Sequence, residues 1–109
     1  MKKLLLLLII PFLSFGQTPI TQENIYQAVD EWLVDPVLTE ETYGHISDWD
    51  VSNVLSMHYM FAGNTSFNQD LINWDVENVV QCEYFCNGGV NWTLPKPNFT
   101  NCPDDTNCN

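Results

Sequence analysis

Arginine is absent from this sequence, and two of its three lysines, Lys2 and Lys3, stand at the extreme N-terminus. Beyond residue 16, Lys96 is the single base against fourteen carboxylates, a net charge of −13. A surface of that sign repels nucleic acid and anionic membranes. Cations, basic proteins and neutral glycans are the partners it leaves open. Nucleophile motifs around serine or cysteine are lacking, and so is a glycine-rich phosphate loop. There are only two histidines, His45 ahead of the first repeat and His58, which corresponds to Glu83 in the second. With no catalytic pattern on show, we expect a protein that is not an enzyme and has no resident cofactor. Long apolar runs are scarce too. The one present, Leu4 to Leu13, is interrupted by Pro11 and falls well short of the ~20 residues of a membrane span. With Lys2 and Lys3 before it and Ser14 and Gly16 after it, residues 1–16 read as a secretory signal peptide cleaved after Gly16. Position 17 is glutamine, not the cysteine of a bacterial lipoprotein, so no membrane anchor is expected and the chain reads as secreted or cell-surface.

What the chain does contain is repetition. Trp49-Asp50-Val51-Ser52-Asn53-Val54 returns 25 residues later as Trp74-Asp75-Val76-Glu77-Asn78-Val79. In the same step Tyr59 meets Tyr84, Met60 meets Phe85, Gly63 meets Gly88, and Phe67 meets Trp92. A step of this size marks stacked units, each burying its apolar face only against its neighbours.

In chain order, the repeats are preceded by a helical segment. Thr21 reads as an N-cap, and Ile25, Ala28, Val29, Trp32 and Leu33 form one apolar stripe at helical period. Asp35-Pro36 ends that helix. A shorter helical turn is expected over Leu38–Thr42, stopped by Gly44. Residues 17–45 are therefore expected to be an N-terminal helical cap. Ile46-x-x-Trp49-x-Val51 and Leu71-x-x-Trp74-x-Val76 carry the LxxLxL spacing of a leucine-rich-repeat strand. These tryptophans are expected to pack in the core rather than serve as a sugar platform. A helix is expected after each strand, from Asn53 and Asn78 as N-caps. Val54, Met57 and Phe61, then Val79, Cys82 and Cys86, would be its inward stripe. Residues 46–98 thus hold two repeats, and residues 99–109 a vestigial strand around Phe99 with a polar, cysteine-containing tail. The expected fold is an α/β repeat. It is a short leucine-rich-repeat-like solenoid with parallel strands, a helical cap in front and a disulfide-closed C-terminal end.

At these words the sequence resembles a known family. YGHISDWDVSNV, MF-x-G and SFNQDL-x-NWDV are similar to the repeats of the BspA-like leucine-rich repeat surface proteins of bacteria. The resemblance covers residues 25–100. It implies a secreted or surface protein associated with adhesion, and it supplies no catalytic residues. Two departures stand out. Only two full repeats are present, and the second puts Cys82 and Cys86 where Met57 and Phe61 stand in the first.

Four cysteines after a signal peptide read as two disulfides, with a zinc site as the rival. We favour Cys82–Cys102 and Cys86–Cys108, which would clasp the tail over the exposed end of the second repeat. The crossed pairing stays open. Asp50 and Asp75 hold equal places in the two repeats. Either each accepts backbone N–H groups, or they take up a cation such as calcium or a basic partner. The expected binding face is the outward side of the strands, Asp48, Asp50 and Ser52, then Asn73, Asp75 and Glu77. Its expected partner is an extracellular protein or glycan. The alternative is a structural end-piece with no ligand of its own.

Overall fold

Two short helices form, the first on an apolar stripe of period 3.6 and the second behind the cap supplied by Asp35. The computed structural model describes residues 16–108, so the expected signal peptide lies, except for Gly16, outside the described residues. The N-cap of the first helix is Asn24, not the expected Thr21, and the two residues bond reciprocally in the turn before the helix. The Thr21 N–H donates to Asn24 Oδ1 at 2.7 Å, and the Asn24 N–H to Thr21 Oγ1 at 3.2 Å. Helix α1 follows over Ile25–Val34 and buries Ile25, Ala28, Val29 and Trp32. At Asp35 the chain leaves the helical region, and its carboxylate accepts the Leu38 N–H at 3.1 Å as N-cap of α2, Pro36–Tyr43. Pro36 fits the first helical position, where its missing N–H costs nothing. Helix α2 thus starts two residues earlier than the expected turn. It ends at Gly44, whose φ of 87° suits only glycine without strain.

The expected parallel-strand solenoid is not what forms. Among the described residues there is no β-strand, only one isolated parallel bridge between Ser56 and Gln81. Ile46, Trp49 and Val51 are buried, as are Leu71, Trp74 and Val76. The alternation comes from consecutive turns instead. The Trp49 and Val54 N–H groups donate to the carbonyls of Ile46 and Val51, three residues back, and Trp74 and Val79 repeat this with Leu71 and Val76. A 3₁₀ turn, Ile46–Asp48, opens the first unit. An N–H spent on a local turn cannot reach sideways to a neighbouring strand.

The helices expected after Asn53 and Asn78 are also absent. Alternate N–H groups of the first segment bond across to the second and the others bond three residues back, not four as a helix requires. Met57 donates to the Gln81 carbonyl, Tyr59 to Glu83, Phe61 to Phe85 and Gly63 to Asn87, at 2.7–3.0 Å. Tyr59 and Tyr84 both sit at positive φ, 59° and 56°, a left-handed backbone that interrupts any α-helix. Val54, Met57 and Phe61 are buried all the same. Their stripe belongs to a turning coil, not to a helix.

Aromatic rings fill the space between the two units. Trp49 and Trp74 stack with centroids 6.2 Å apart and planes 15° from parallel. Their indole N–H groups donate to the carbonyls of Gly44 and Ile46, so no buried donor is wasted. Phe61 sits among Phe67, Phe85 and Trp92, with centroids 4.3–5.3 Å away. Trp32 of α1 meets Trp49 edge-on, and Phe99 of the tail meets Phe85 the same way.

Each edge of this pair is closed by groups that imitate a neighbouring repeat. In the second unit, the Val80 and Gln81 N–H groups both reach the Leu55 carbonyl of the first. Leu55 and Ser56, their counterparts, have no earlier repeat to bond. Both instead donate to Gln22 Oε1, at 2.9 and 2.8 Å, while Gln22 Nε2 donates to the Ser56 carbonyl. At the other edge the Tyr84 and Cys86 N–H groups donate to the carbonyls of Asp105 and Thr106, and Cys82 N–H to the Asp104 carboxylate. Asn78 ties to the Ser52 carbonyl of the preceding unit, and Asn101 ties to Glu77 in the same way. The region around Phe99, expected as a vestigial strand, follows the second unit as irregular chain.

Candidate functional site

The residues expected to form a binding face do reach the surface, though on turns rather than on a sheet. Asp48, Asp50, Asn73, Asp75 and Glu77 are exposed, and Ser52 is half-buried. The turns themselves fix the aspartates. Asp50 Oδ1 accepts the Ser52 N–H at 3.0 Å and the Ser52 hydroxyl at 2.6 Å. Asp75 Oδ1 accepts the Glu77 N–H at 3.2 Å, the same turn one repeat on without the hydroxyl. The Ser52 hydroxyl, with its N–H, holds the Asp50 carboxyl below the ordinary carboxylate range. Asp48 and Asp50 also border a recess of about 400 Å³ against residues 17–20, with Tyr43 and Trp49 in its wall.

These turns supply the backbone-acceptor role for Asp50 and Asp75 that was weighed against a calcium site. Among the described residues the one cluster of potential metal ligands is Cys82, Cys102 and Asp104, away from these aspartates. Its sulfurs are not thiolates. Cys82 is bonded to Cys102 and Cys86 to Cys108, with Cα separations of 6.1 and 4.6 Å, and no described cysteine is free. That leaves no thiolate for zinc. His45 is occupied too. Its Nδ1 accepts the Ser47 N–H, and its ring meets Trp32 edge-on at 5.0 Å.

Trp49 and Trp74, at 4% and 3% exposure, are core residues rather than an exposed platform, although Trp49 reaches the wall of the recess beside Asp48 and Asp50. The one base beyond residue 16 is also committed. Lys96 Nζ donates to the Trp92 carbonyl at 2.8 Å and lies 5.1 Å from the centre of the Trp92 ring. No helix among the described residues is long and apolar enough to cross a membrane. One surface feature escaped the sequence reading, an acidic groove between α1 and α2. Its signal was Val34, Val37 and Leu38 clustered around Pro36, outside the buried stripe.

Residues 22–99 match the family model described as "Mycoplasma protein of unknown function, DUF285", and the chain belongs to that family. No curated protein matches it, and neither does any solved structure.

Proposed function

We propose that the chain is a non-catalytic recognition module of a secreted or surface protein, in role like the BspA-like surface proteins, and that its ligand is an extracellular protein or glycan. One observation carries this reading. Asp48, Asp50, Asp75 and Glu77 stand exposed, while the single base beyond residue 16 is held by Trp92. The field of this face is therefore uncompensated, and it favours ligands with basic or hydrogen-bond-donating groups. Two disulfides at the C-terminal end suit an oxidising, extracytoplasmic setting.

The rival, a structural end-piece, needs a free edge on which a further repeat can stack. Gln22 occupies one edge and residues 104–106 the other, which favours recognition. The test is a screen of the chain against extracellular-matrix proteins and glycans, followed by Asp50→Lys and Asp75→Lys. We expect the double reversal to weaken binding of a basic ligand by roughly tenfold and to flatten its salt dependence. A ligand whose affinity ignores both substitutions would place its site elsewhere.

A further inference from the structure

Helix α2 departs from the ordinary logic of a surface helix. Of its eight residues only Thr39 is buried. Its apolar side chains face out, with Val37 74% and Leu38 59% exposed, and Val34 at the end of α1 is 87% exposed. An amphipathic helix docked on a core shows the reverse. Its ends help hold α2, with Asp35 capping Leu38, Pro36 in the first turn and Gly44 at the last, and its core contacts come from buried Thr39 and from Tyr43, which meets Trp49 edge-on at 5.8 Å. Between α1 and α2 runs an open groove of about 530 Å³. Val34 and Leu38 give it apolar surface, and Asp30, Glu31 and Asp35 line it with carboxylates. Glu40 and Glu41 border a second hollow with Val37. Residues 17–45 contain no lysine or arginine to offset these groups.

We infer that this groove is a docking site for a segment of another protein that is both basic and apolar, a Lys- or Arg-bearing amphipathic helix or strand. Charge selects this occupant. A second copy would bring a net −13 against an acidic groove, and its one base beyond residue 16 is engaged by Trp92. A neutral glycan would leave Val34, Val37 and Leu38 without apolar partners. A basic amphipathic segment satisfies both halves, with its apolar side chains on Val34 and Leu38 and its cations at Asp30 and Glu31. Asp35 contributes less, since its Oδ1 already accepts the Leu38 N–H. Gln27 steadies Glu31 from one turn earlier, Nε2 to Oε2 at 2.9 Å. This surface is distinct from the turn face of Asp48 to Glu77, so it stands or falls independently of that proposal.

The test uses a synthetic amphipathic Lys/Leu peptide as probe, with polylysine and a neutral apolar peptide as controls, read by titration calorimetry. We expect the Lys/Leu peptide to bind more tightly than either control. Val34→Ser with Leu38→Ser should weaken it by roughly tenfold or more, since two exposed apolar side chains are lost from the contact. Asp30→Asn with Glu31→Gln should weaken it and reduce its salt dependence, whereas Glu83→Gln, at an exposed carboxylate of the second repeat outside both surfaces, should leave it within about twofold of the parent. Asp30, Val34 and Leu38 are exposed and Glu31 is half-buried, and an unchanged melting temperature identifies the loss as one of binding. Equal affinity for polylysine would overturn the inference, because charge alone would then suffice. A groove already filled in the free chain would overturn it too. That filling would show as a dimer in sedimentation that Leu38→Ser dissolves, or as peptide affinity that rises when residues 1–15 are removed.

Discussion

The two edges of the repeat pair are closed by different means. On the N-terminal side two side chains do the hydrogen bonding, since Gln22 takes the Leu55 and Ser56 N–H groups and returns a donor to Ser56, and the Tyr26 hydroxyl donates to the His58 carbonyl at 2.8 Å. These few bonds suffice because α1 packs Ile25, Ala28, Val29 and Trp32 beside them. On the C-terminal side the backbone partners are residues 104–106, a segment with no apolar side chain. There Phe99 is the main apolar contact, half-buried against Phe85. Two disulfides hold what burial does not. Where a cap buries a hydrophobic stripe, noncovalent packing is enough. A polar cap must have its freedom removed from the unfolded chain, which is what a cross-link does in the chain-entropy account.

Removing the covalent side of this comparison should have the largest effect. Cys102→Ser with Cys108→Ser is expected to cost roughly 3 kcal/mol per bridge, a large part of the ~5–15 kcal/mol stability of a small domain. Urea unfolding measures it, and a loss below 1 kcal/mol would show the tail to be ornamental. On the packed side, Trp32→Ala should cost about 3–5 kcal/mol by leaving a void beside Trp49 and His45. It should also lower the stability of α1 before that of the tail, visible as early loss of helical circular dichroism. Gln22→Ala leaves two N–H groups without an acceptor and is expected to cost about 1–3 kcal/mol. Gln22→Glu keeps the acceptor and should lose less. If the two behave alike, the amide is not what closes that edge.

The smallest effect concerns Asp50. Its carboxyl is depressed in the folded chain by Ser52, so the stability it contributes is present above the ordinary carboxylate pKa. That stability is lost as pH falls through the lower folded value. Asp50→Asn retains the acceptor and removes the titration. Its stability below pH ~4 should therefore fall less steeply than the parent's. Superimposable acid curves would count against Ser52 as the cause.

Much of this contrast could be read from the residues, and the gaps have physical causes. The stripe of Ile25, Ala28, Val29 and Trp32 made α1 readable, and an even cysteine count pointed to the two bridges that are present. The 25-residue step identified which residues are buried, since burial follows side-chain chemistry. It did not identify the backbone. Ile46, Trp49 and Val51 follow the spacing of strand residues, but Asp48 and Asp50 between them and Asn53 after them are turn formers, and Asp50 takes up the Ser52 N–H. Val54, Met57 and Phe61 mimic a helical period, yet Tyr59 stands in a left-handed conformation that tyrosine does not advertise. Gln22 was invisible because its role depends on two N–H groups more than thirty residues away. The groove at α2 is not legible in the sequence, because the spacing of Val34, Val37 and Leu38 does not show that they stay exposed.

Residues 104–106, held by disulfides, take the hydrogen-bonding places at the second unit that the second unit itself takes at the first. Amide hydrogen exchange under oxidising and reducing conditions tests it most directly. Reduction should strip protection from the Tyr84 and Cys86 N–H groups, which donate to Asp105 and Thr106. Leu55 and Ser56, bonded to Gln22, should keep theirs at a reductant level where the chain stays folded. Protection at Tyr84 and Cys86 that survives reduction, or that is lost in step with Leu55 and Ser56, would contradict the account.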